Sequence, residues 1–95
     1  MKKLLIAAIL SVTASTSFAG TIDICNAEEA ANTTLMKMRQ MNMEMSRIIK
    51  ISKTQDQIDR AIAAYEVPLW SSQKMKDKAV KSFANKYYLE CIKKL

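Results

Sequence analysis

Histidine is absent from this chain of 95 residues, and glycine, proline and cysteine are scarce, with one glycine, one proline and two cysteines. Without histidine, the chain lacks the usual proton shuttle near neutral pH and the commonest metal ligand of proteins. No stretch alternates polar and apolar residues as a half-buried strand does. These absences predict an all-α fold. Because no nucleophile motif is present either, we expect a protein that is not an enzyme and needs no cofactor.

The start of the chain has the three-part organisation of a cleavable signal peptide. Met1-Lys2-Lys3 is basic, Leu4 to Val12 is apolar, and Ser17-Phe18-Ala19 fits the small-x-small cleavage rule. The apolar run is shorter than the ~20 residues that span a bilayer, which disfavours the alternative of an uncleaved anchor. We therefore predict that residues 1–19 are removed, that residues 20–95 form one small helical domain, and that the destination is the periplasm.

Cys25 and Cys91 lie near opposite ends of the mature chain. In an oxidising compartment, two thiols in a small domain form a structural disulfide more often than a metal or redox site. Their separation also excludes a Cys-x-x-Cys redox motif. Closing a loop of this length stabilises a domain by roughly 4 kcal/mol in the chain-entropy model. We predict a disulfide between the two cysteines that closes a bundle of three to four helices.

The clearest helical pattern runs from Ser72 to Leu95. Its apolar residues occupy a little under half of the helix circumference, and Cys91 lies near the middle of that face. We therefore expect the thiol of Cys91 to point into the bundle, and Ser71 or Ser72 to cap the helix. The apolar residues of this face are Val80, Phe83, Ala84, Tyr87, Tyr88, Cys91 and Leu95.

The first mature helix is predicted to begin at Asn26, which can cap a helix and is followed by acids that favour a helix N-terminus. Asparagine tolerates the left-handed conformation, so we expect Asn42 to break this helix. Periodicity alone also allows one unbroken helix as far as Ile51. The residues expected on its core face are Ala27, Ala31, Leu35, Met38, Met41 and Met45.

A second helical segment covers Met45 to Lys53, and a third helix follows it. Thr54 is the predicted cap of the third helix, with Gln57 completing a capping box. Pro68 ends this helix, because the residue before a proline is pushed out of the helical region. The side chains expected to be buried here are Ile48, Ile49, Ile51, Ile58, Ala61, Ile62, Tyr65, Leu69 and Trp70.

Five methionines between residues 36 and 45 are the one unusual feature of the composition. Thioethers suit Cu(I), so a site formed by Met36, Met38, Met41, Met43 and Met45 is one hypothesis. A helix would separate them, however, with Met36 and Met43 opposite the other three. We favour core packing for those three and expect Met36 and Met43 to form an exposed, adaptable surface for a partner protein.

Positive charge is concentrated in the last helix. Removing the leader lowers the Lys and Arg count from 15 to 13 against nine acids, which leaves a net charge of +4. Residues 74–94 alone contain seven lysines and two acids. Such a helix suits an acidic protein or an anionic lipid surface, whereas export makes nucleic acid a poor partner. Lys74, Lys78 and Lys81 are the candidate contacts, and a plain solvated face is the alternative.

The chain also resembles small exported proteins that bacteriophages and prophages of Gram-negative bacteria encode, which have a leader, an early cysteine and a late one. The resemblance covers most of the mature chain and implies a periplasmic role in control of lysis or of a second infection. It implies no particular chemistry, and the turn Met41-Asn42-Met43-Glu44 lacks the glycine and proline common in that group. The matching residues are Arg39-Gln40, Met45-Ser46, Ala64-Tyr65-Glu66 with Pro68, Phe83-Ala84-Asn85 and Tyr88-Leu89-Glu90-Cys91-Ile92-Lys93.

Together these features predict a non-enzymatic periplasmic interaction protein that acts on an envelope protein. Two alternatives stay open at this stage. One is a Cu(I) binder that uses the methionines. The other is a peripheral membrane binder whose last helix lies on anionic lipid, and burial of Phe83 and Tyr87 in the bundle would argue against it.

Overall fold

Residues 13–95 form a bundle of four helices. The computed structural model describes the backbone of residues 13–95 and the side chains of residues 22–95. The helices are α1 (Thr13–Gln40), α2 (Met45–Ile51), α3 (Gln55–Glu66) and α4 (Gln73–Lys93), and no strand occurs in this part of the chain. α4 packs along α1, and α3 packs against both α1 and α2. The predicted all-α bundle is confirmed.

α1 begins well before the position that the sequence indicates. The basic start and the apolar run from Leu4 to Val12 lie outside the described residues, as do the side chains of Ser17-Phe18-Ala19. The backbone is helical from Thr13 onward, so Asn26 lies inside α1 and the predicted helix start there is wrong. A capping residue starts a helix only where the preceding residues leave the helical conformation, and no proline before Asn26 forces them to do so. Cleavage after Ala19 stays a prediction.

α1 and α4 are antiparallel and are joined at both ends. At one end, Cys25 and Cys91 form the predicted disulfide, with 5.6 Å between their Cα atoms. At the other end, Nζ of Lys76 donates a hydrogen bond of 2.7 Å to the carbonyl oxygen of Gln40, the last residue of α1. A lysine there also interacts favourably with the negative end of the helix dipole. The covalent bond and this capping contact therefore fix the register of the two long helices.

The inward face of α1 is rotated from the predicted one. Ala27 and Ala31 are exposed, and Met41 is 73% exposed because it lies in the turn after the helix has ended. Two polar side chains, Asn32 and Gln40, lie on the buried face. A prediction that places the buried face where the apolar residues are most numerous therefore chooses the wrong side of the helix. The residues that form the hydrophobic core are Leu35, Met36, Ile48, Ala61, Ala64, Val80 and Phe83.

The predicted core faces of α3 and α4 are confirmed at their centres and wrong at their margins. On α4, Val80, Phe83 and Ala84 are buried, and the two tyrosines and Cys91 are half-buried. Leu95 is exposed, because it follows the end of the helix at Lys93. The other predictions of burial that fail after α1 are those for Ile51, Ile62 and Leu69, all of which are exposed.

The predicted starts of α3 and α4 and the predicted break after α1 agree with the structure. Side-chain oxygens of Thr54 and Ser72 accept hydrogen bonds from backbone N–H groups in the first turns of α3 and α4, at 3.2 Å in each case. Gln57 Oε1 accepts a bond of 2.6 Å from the backbone N–H of Lys53, one residue before the cap itself. The chain leaves the helical conformation after Gln40, so the predicted break near Asn42 is confirmed and the unbroken helix is excluded.

Asn42 adopts a positive φ of 63°, which only glycine tolerates without a steric penalty from Cβ. We expect Asn42→Ala to lower the free energy of unfolding by about 1 kcal/mol, because alanine lacks the polar side chain that makes this conformation accessible to asparagine. Asn42→Gly should match the wild-type protein or exceed it slightly. Urea denaturation of the three proteins checks this, and equal midpoints for the alanine and glycine variants would contradict it.

Candidate functional site

The predicted methionine surface does not exist in the folded chain. Met36 has none of its surface exposed, because α1 turns that side of the helix toward the core. Met43 lies in the loop after α1 and packs against the same core. The hydroxyl of Tyr65 donates a hydrogen bond to the carbonyl oxygen of Met43, which holds this loop against α3. The prediction that both are exposed is therefore wrong, because Met36 is buried and Met43 is half-buried.

The same burial bears on the copper hypothesis. Met38 also packs against the core, whereas Met41 is largely in solvent. Nε2 of Gln40 lies 3.6 Å from the sulfur of Met36, so this thioether already has a polar neighbour inside the protein. The arrangement of the five methionines thus gives the copper hypothesis no support. Among the described residues, no group of three or more histidine, cysteine, aspartate or glutamate side chains is placed to hold a metal ion.

The predicted lysine surface, in contrast, faces solvent. Lys74, Lys78 and Lys81 are exposed and follow one another at helical spacing along one face of α4. Lys76 is not part of this face, since its ammonium group caps α1. We call Lys74, Lys78 and Lys81 the basic face.

An open groove meets the basic face at Lys78, the one member of that face among its lining residues. It lies between α3 and α4, has a volume of about 470 Å³, and is closed at one end by the segment that joins these helices. Two lysines, Lys78 and Lys86, stand among its lining residues, with Glu66 as the one acid. The other lining residues are Ala63, Val67, Trp70, Met75, Ala79, Ser82 and Phe83. This α3–α4 groove therefore combines an apolar floor with a predominantly positive rim.

Buried Gln40 fixes the segment that closes the α3–α4 groove. Its Nε2 atom donates a hydrogen bond of 2.9 Å to the carbonyl oxygen of Pro68, and its Oε1 atom accepts one of 3.0 Å from the backbone N–H of Trp70. Nε of the neighbouring Arg39 donates a bond of 3.0 Å to the carbonyl oxygen of Val67. The C-terminal turn of α1 thus positions two residues of the groove lining.

Sequence reasoning missed this contact between α1 and the segment after α3. The one signal in the sequence was the glutamine at position 40, on the side of α1 that is buried in the structure. Its hydrogen-bond partners lie in the distant Val67–Trp70 segment, so only the folded chain brings them to it.

Arg39 makes a second contact, with α3, because its guanidinium lies 5.0 Å from the ring centroid of Tyr65. Burial raises the pKa of Tyr65, and the positive charge of Arg39 opposes that rise. The phenol therefore keeps its proton, which it donates to the loop after α1.

A second groove lies between α1, α2 and α3. Its volume is about 450 Å³, and Glu28 and Arg60 at its rim are paired at 3.8 Å. Asn32 is 3% exposed, and none of the described residues supplies a hydrogen-bond acceptor to its Nδ2 atom. The guanidinium of Arg60 also lies 4.3 Å from the ring centroid of Tyr87. Asp56 also lines this groove, so with Glu28 and Arg60 paired it presents a net negative charge to a partner.

The apolar side of α4 is turned inward. Phe83 is 6% exposed and packs edge to face with Tyr87, with 5.0 Å between ring centroids. Tyr87 is half-buried and packs against the core. A helix lying on lipid needs its apolar side chains free to enter the bilayer, so this burial argues against the membrane-surface hypothesis. Among the described residues, no helix combines the length and hydropathy needed to cross a bilayer.

The geometry defines a small, disulfide-closed helical protein with a basic helix face beside a partly apolar groove. No protein-family model, curated protein or solved structure matches the chain.

Proposed function

We propose that this chain is an exported, non-enzymatic interaction protein that binds an envelope protein in the periplasm through α4. The observation that carries the proposal is the juxtaposition of the basic face with the α3–α4 groove. Lys74, Lys78 and Lys81 are exposed, Lys78 also lines the apolar depression, and apolar surface rimmed by polar groups is typical of protein-binding sites.

The disulfide supports the export part of the proposal. A bond between Cys25 and Cys91 is compatible with an oxidising compartment, and disulfides of this kind are rare in the cytosol. The leader-like residues 1–19 and their cleavage motif lead to the same compartment. The resemblance to phage- and prophage-encoded exported proteins supports a role in lysis or in blocking a second infection.

Site-specific photo-crosslinking in cells tests the proposal. A benzophenone amino acid replaces Lys81 in the full chain, and a second version carries it at Lys50, which is exposed on α2 away from the α3–α4 groove. We expect irradiation to join position 81 to one envelope protein, which mass spectrometry identifies, and to give no such adduct from position 50. The proposal fails if positions 74, 78 and 81 give no adduct, or give the same adducts as position 50.

A further inference from the structure

We propose that the α3–α4 groove recognises an acidic amphipathic segment of the partner protein, one that inserts an apolar side chain between two carboxylates. This inference rests on the proposed function and adds the chemistry of the partner. The groove would hold the apolar side chain over Trp70 and Met75, and the flanking carboxylates would pair with Lys78 and Lys86.

The apolar floor explains why a side chain should bind. The volume of about 470 Å³ lies within the range of ~300–1,000 Å³ typical of ligand sites. Trp70 and Met75 are half-buried, so each still offers apolar surface to an incoming group. Methionine is unbranched and polarisable and adapts to ligands of different shape, while an indole ring supplies a rigid contact area. A partner side chain in the groove would remove this remaining surface from water.

The charge of the rim decides the chemistry of the partner. Lys78 and Lys86 outnumber the single acid of the lining, Glu66, and residues 74–94 carry seven lysines against two acids. A partner segment with carboxylates would be attracted by this surface, whereas a basic one would be repelled. The groove between α1, α2 and α3 has the opposite bias, because Glu28 and Arg60 are paired there and Asp56 adds a negative charge.

The spacing of the two lysines constrains the segment. Positions 78 and 86 are separated by eight residues of α4, which at a rise of about 1.5 Å per residue places them about 12 Å apart along the helix axis. An extended peptide covers that distance in roughly four residues, at about 3.3 Å each. We therefore expect a segment with two carboxylates about four residues apart and a large apolar residue between them.

Trp70 is the only tryptophan of the chain, so tryptophan emission reports on this groove. The probe is a synthetic peptide in which two glutamates flank a leucine at the spacing derived above, added to the oxidised protein purified from the periplasm. We expect a saturable change in tryptophan emission that weakens as salt is added. A peptide with glutamine in place of both glutamates should bind at least threefold more weakly.

Two pairs of variants distinguish binding in the groove from attraction by positive charge elsewhere on the protein. Lys78→Gln combined with Lys86→Gln should raise the dissociation constant about threefold to tenfold, as expected for two exposed ion pairs. Lys50→Gln combined with Lys53→Gln removes the same charge from another exposed region and should leave the dissociation constant unchanged. Ser82→Leu fills the groove from an exposed position and should weaken binding about tenfold, whereas Ser46→Leu on α2 should not.

Three results would overturn the inference. The first is the absence of any fluorescence change with the acidic peptide. The second is equal binding of the glutamine peptide, or equal weakening by both lysine pairs. The third is a response of Trp70 to phosphatidylglycerol vesicles and not to the peptide, which would make the site a lipid contact. A crosslink from position 81, combined with no fluorescence response to the acidic peptide, would support the proposed function and contradict this inference only.

Discussion

Replacing both cysteines by alanine should lower the free energy of unfolding by about 4 kcal/mol, as the chain-entropy model gives for a loop closed between residues 66 positions apart. A helical domain of this size has only about 3–5 kcal/mol of net stability from its core. The variant Cys25→Ala/Cys91→Ala should therefore be largely unfolded at 37 °C. Thermal denaturation followed by circular dichroism measures the effect.

A matched control is available for the disulfide prediction. Adding dithiothreitol to the wild-type protein should reproduce the melting temperature of the double variant, and the double variant itself should not respond to dithiothreitol. Wild-type protein that melts at the same temperature with and without reductant would contradict the prediction. It would show that packing between α1 and α4 suffices without the covalent bond.

The structure also shows where the reduced protein should open first. Around Cys25, the side chains of Ile24, Asn26 and Ala27 are exposed, so few apolar contacts hold this part of α1 on α4. At the opposite end, the Lys76 and Gln40 contact and the core around Met36 persist without the disulfide. Hydrogen exchange should therefore accelerate around Cys25 and Cys91 upon reduction before it does so near Gln40.

Gln40→Leu should lower the free energy of unfolding by about 2 kcal/mol, because it leaves the Pro68 carbonyl and the Trp70 N–H without their partners in a part-buried site. Leucine has a comparable size, so the loss reports on the hydrogen bonds more than on packing. Urea denaturation measures it. The emission of Trp70 in the native state should change as well, since the segment that carries it is no longer held by α1.

Gln73→Leu provides the control for Gln40. Gln73 is exposed on α4 and donates one hydrogen bond of 2.8 Å to Asp77 within the same helix. Its replacement should change the free energy of unfolding by less than ~0.5 kcal/mol. A similar loss for both variants would show that the buried contact of Gln40 with the segment after α3 contributes little. The Gln40 variant should also bind the acidic peptide more weakly, because the groove it shapes is less ordered.

Local chemistry allowed much of the fold to be predicted. The oxygens of Thr54 and Ser72 accept from N–H groups within their own helices, and the left-handed residue Asn42 ends α1. Such interactions depend on neighbours within a few residues and are therefore visible in the sequence. The basic face was predictable for a similar reason, since lysines at helical spacing beside a clear apolar stripe face outward.

The orientation of α1 was not predictable in the same way. Methionine is apolar but is tolerated in water, so Met41 could be exposed while Met36 was buried, and the pattern of apolar residues did not distinguish them. Gln40 faces inward because the segment from Val67 to Trp70 supplies its partners from about thirty positions away in the sequence. The predicted methionine surface failed for this reason, and the groove was missed for the same reason.

The sequence by itself determined the helical class, the positions of most helix ends, the pairing of the two cysteines and the exposure of the lysines, because each depends on local conformational preference or on there being a single possible partner. Only the tertiary structure decided which side of α1 is buried, which methionines are available, and that an apolar groove opens beside the lysines. Those features depend on side chains of separate helices filling each other's space and satisfying each other's polar groups, which no local pattern encodes.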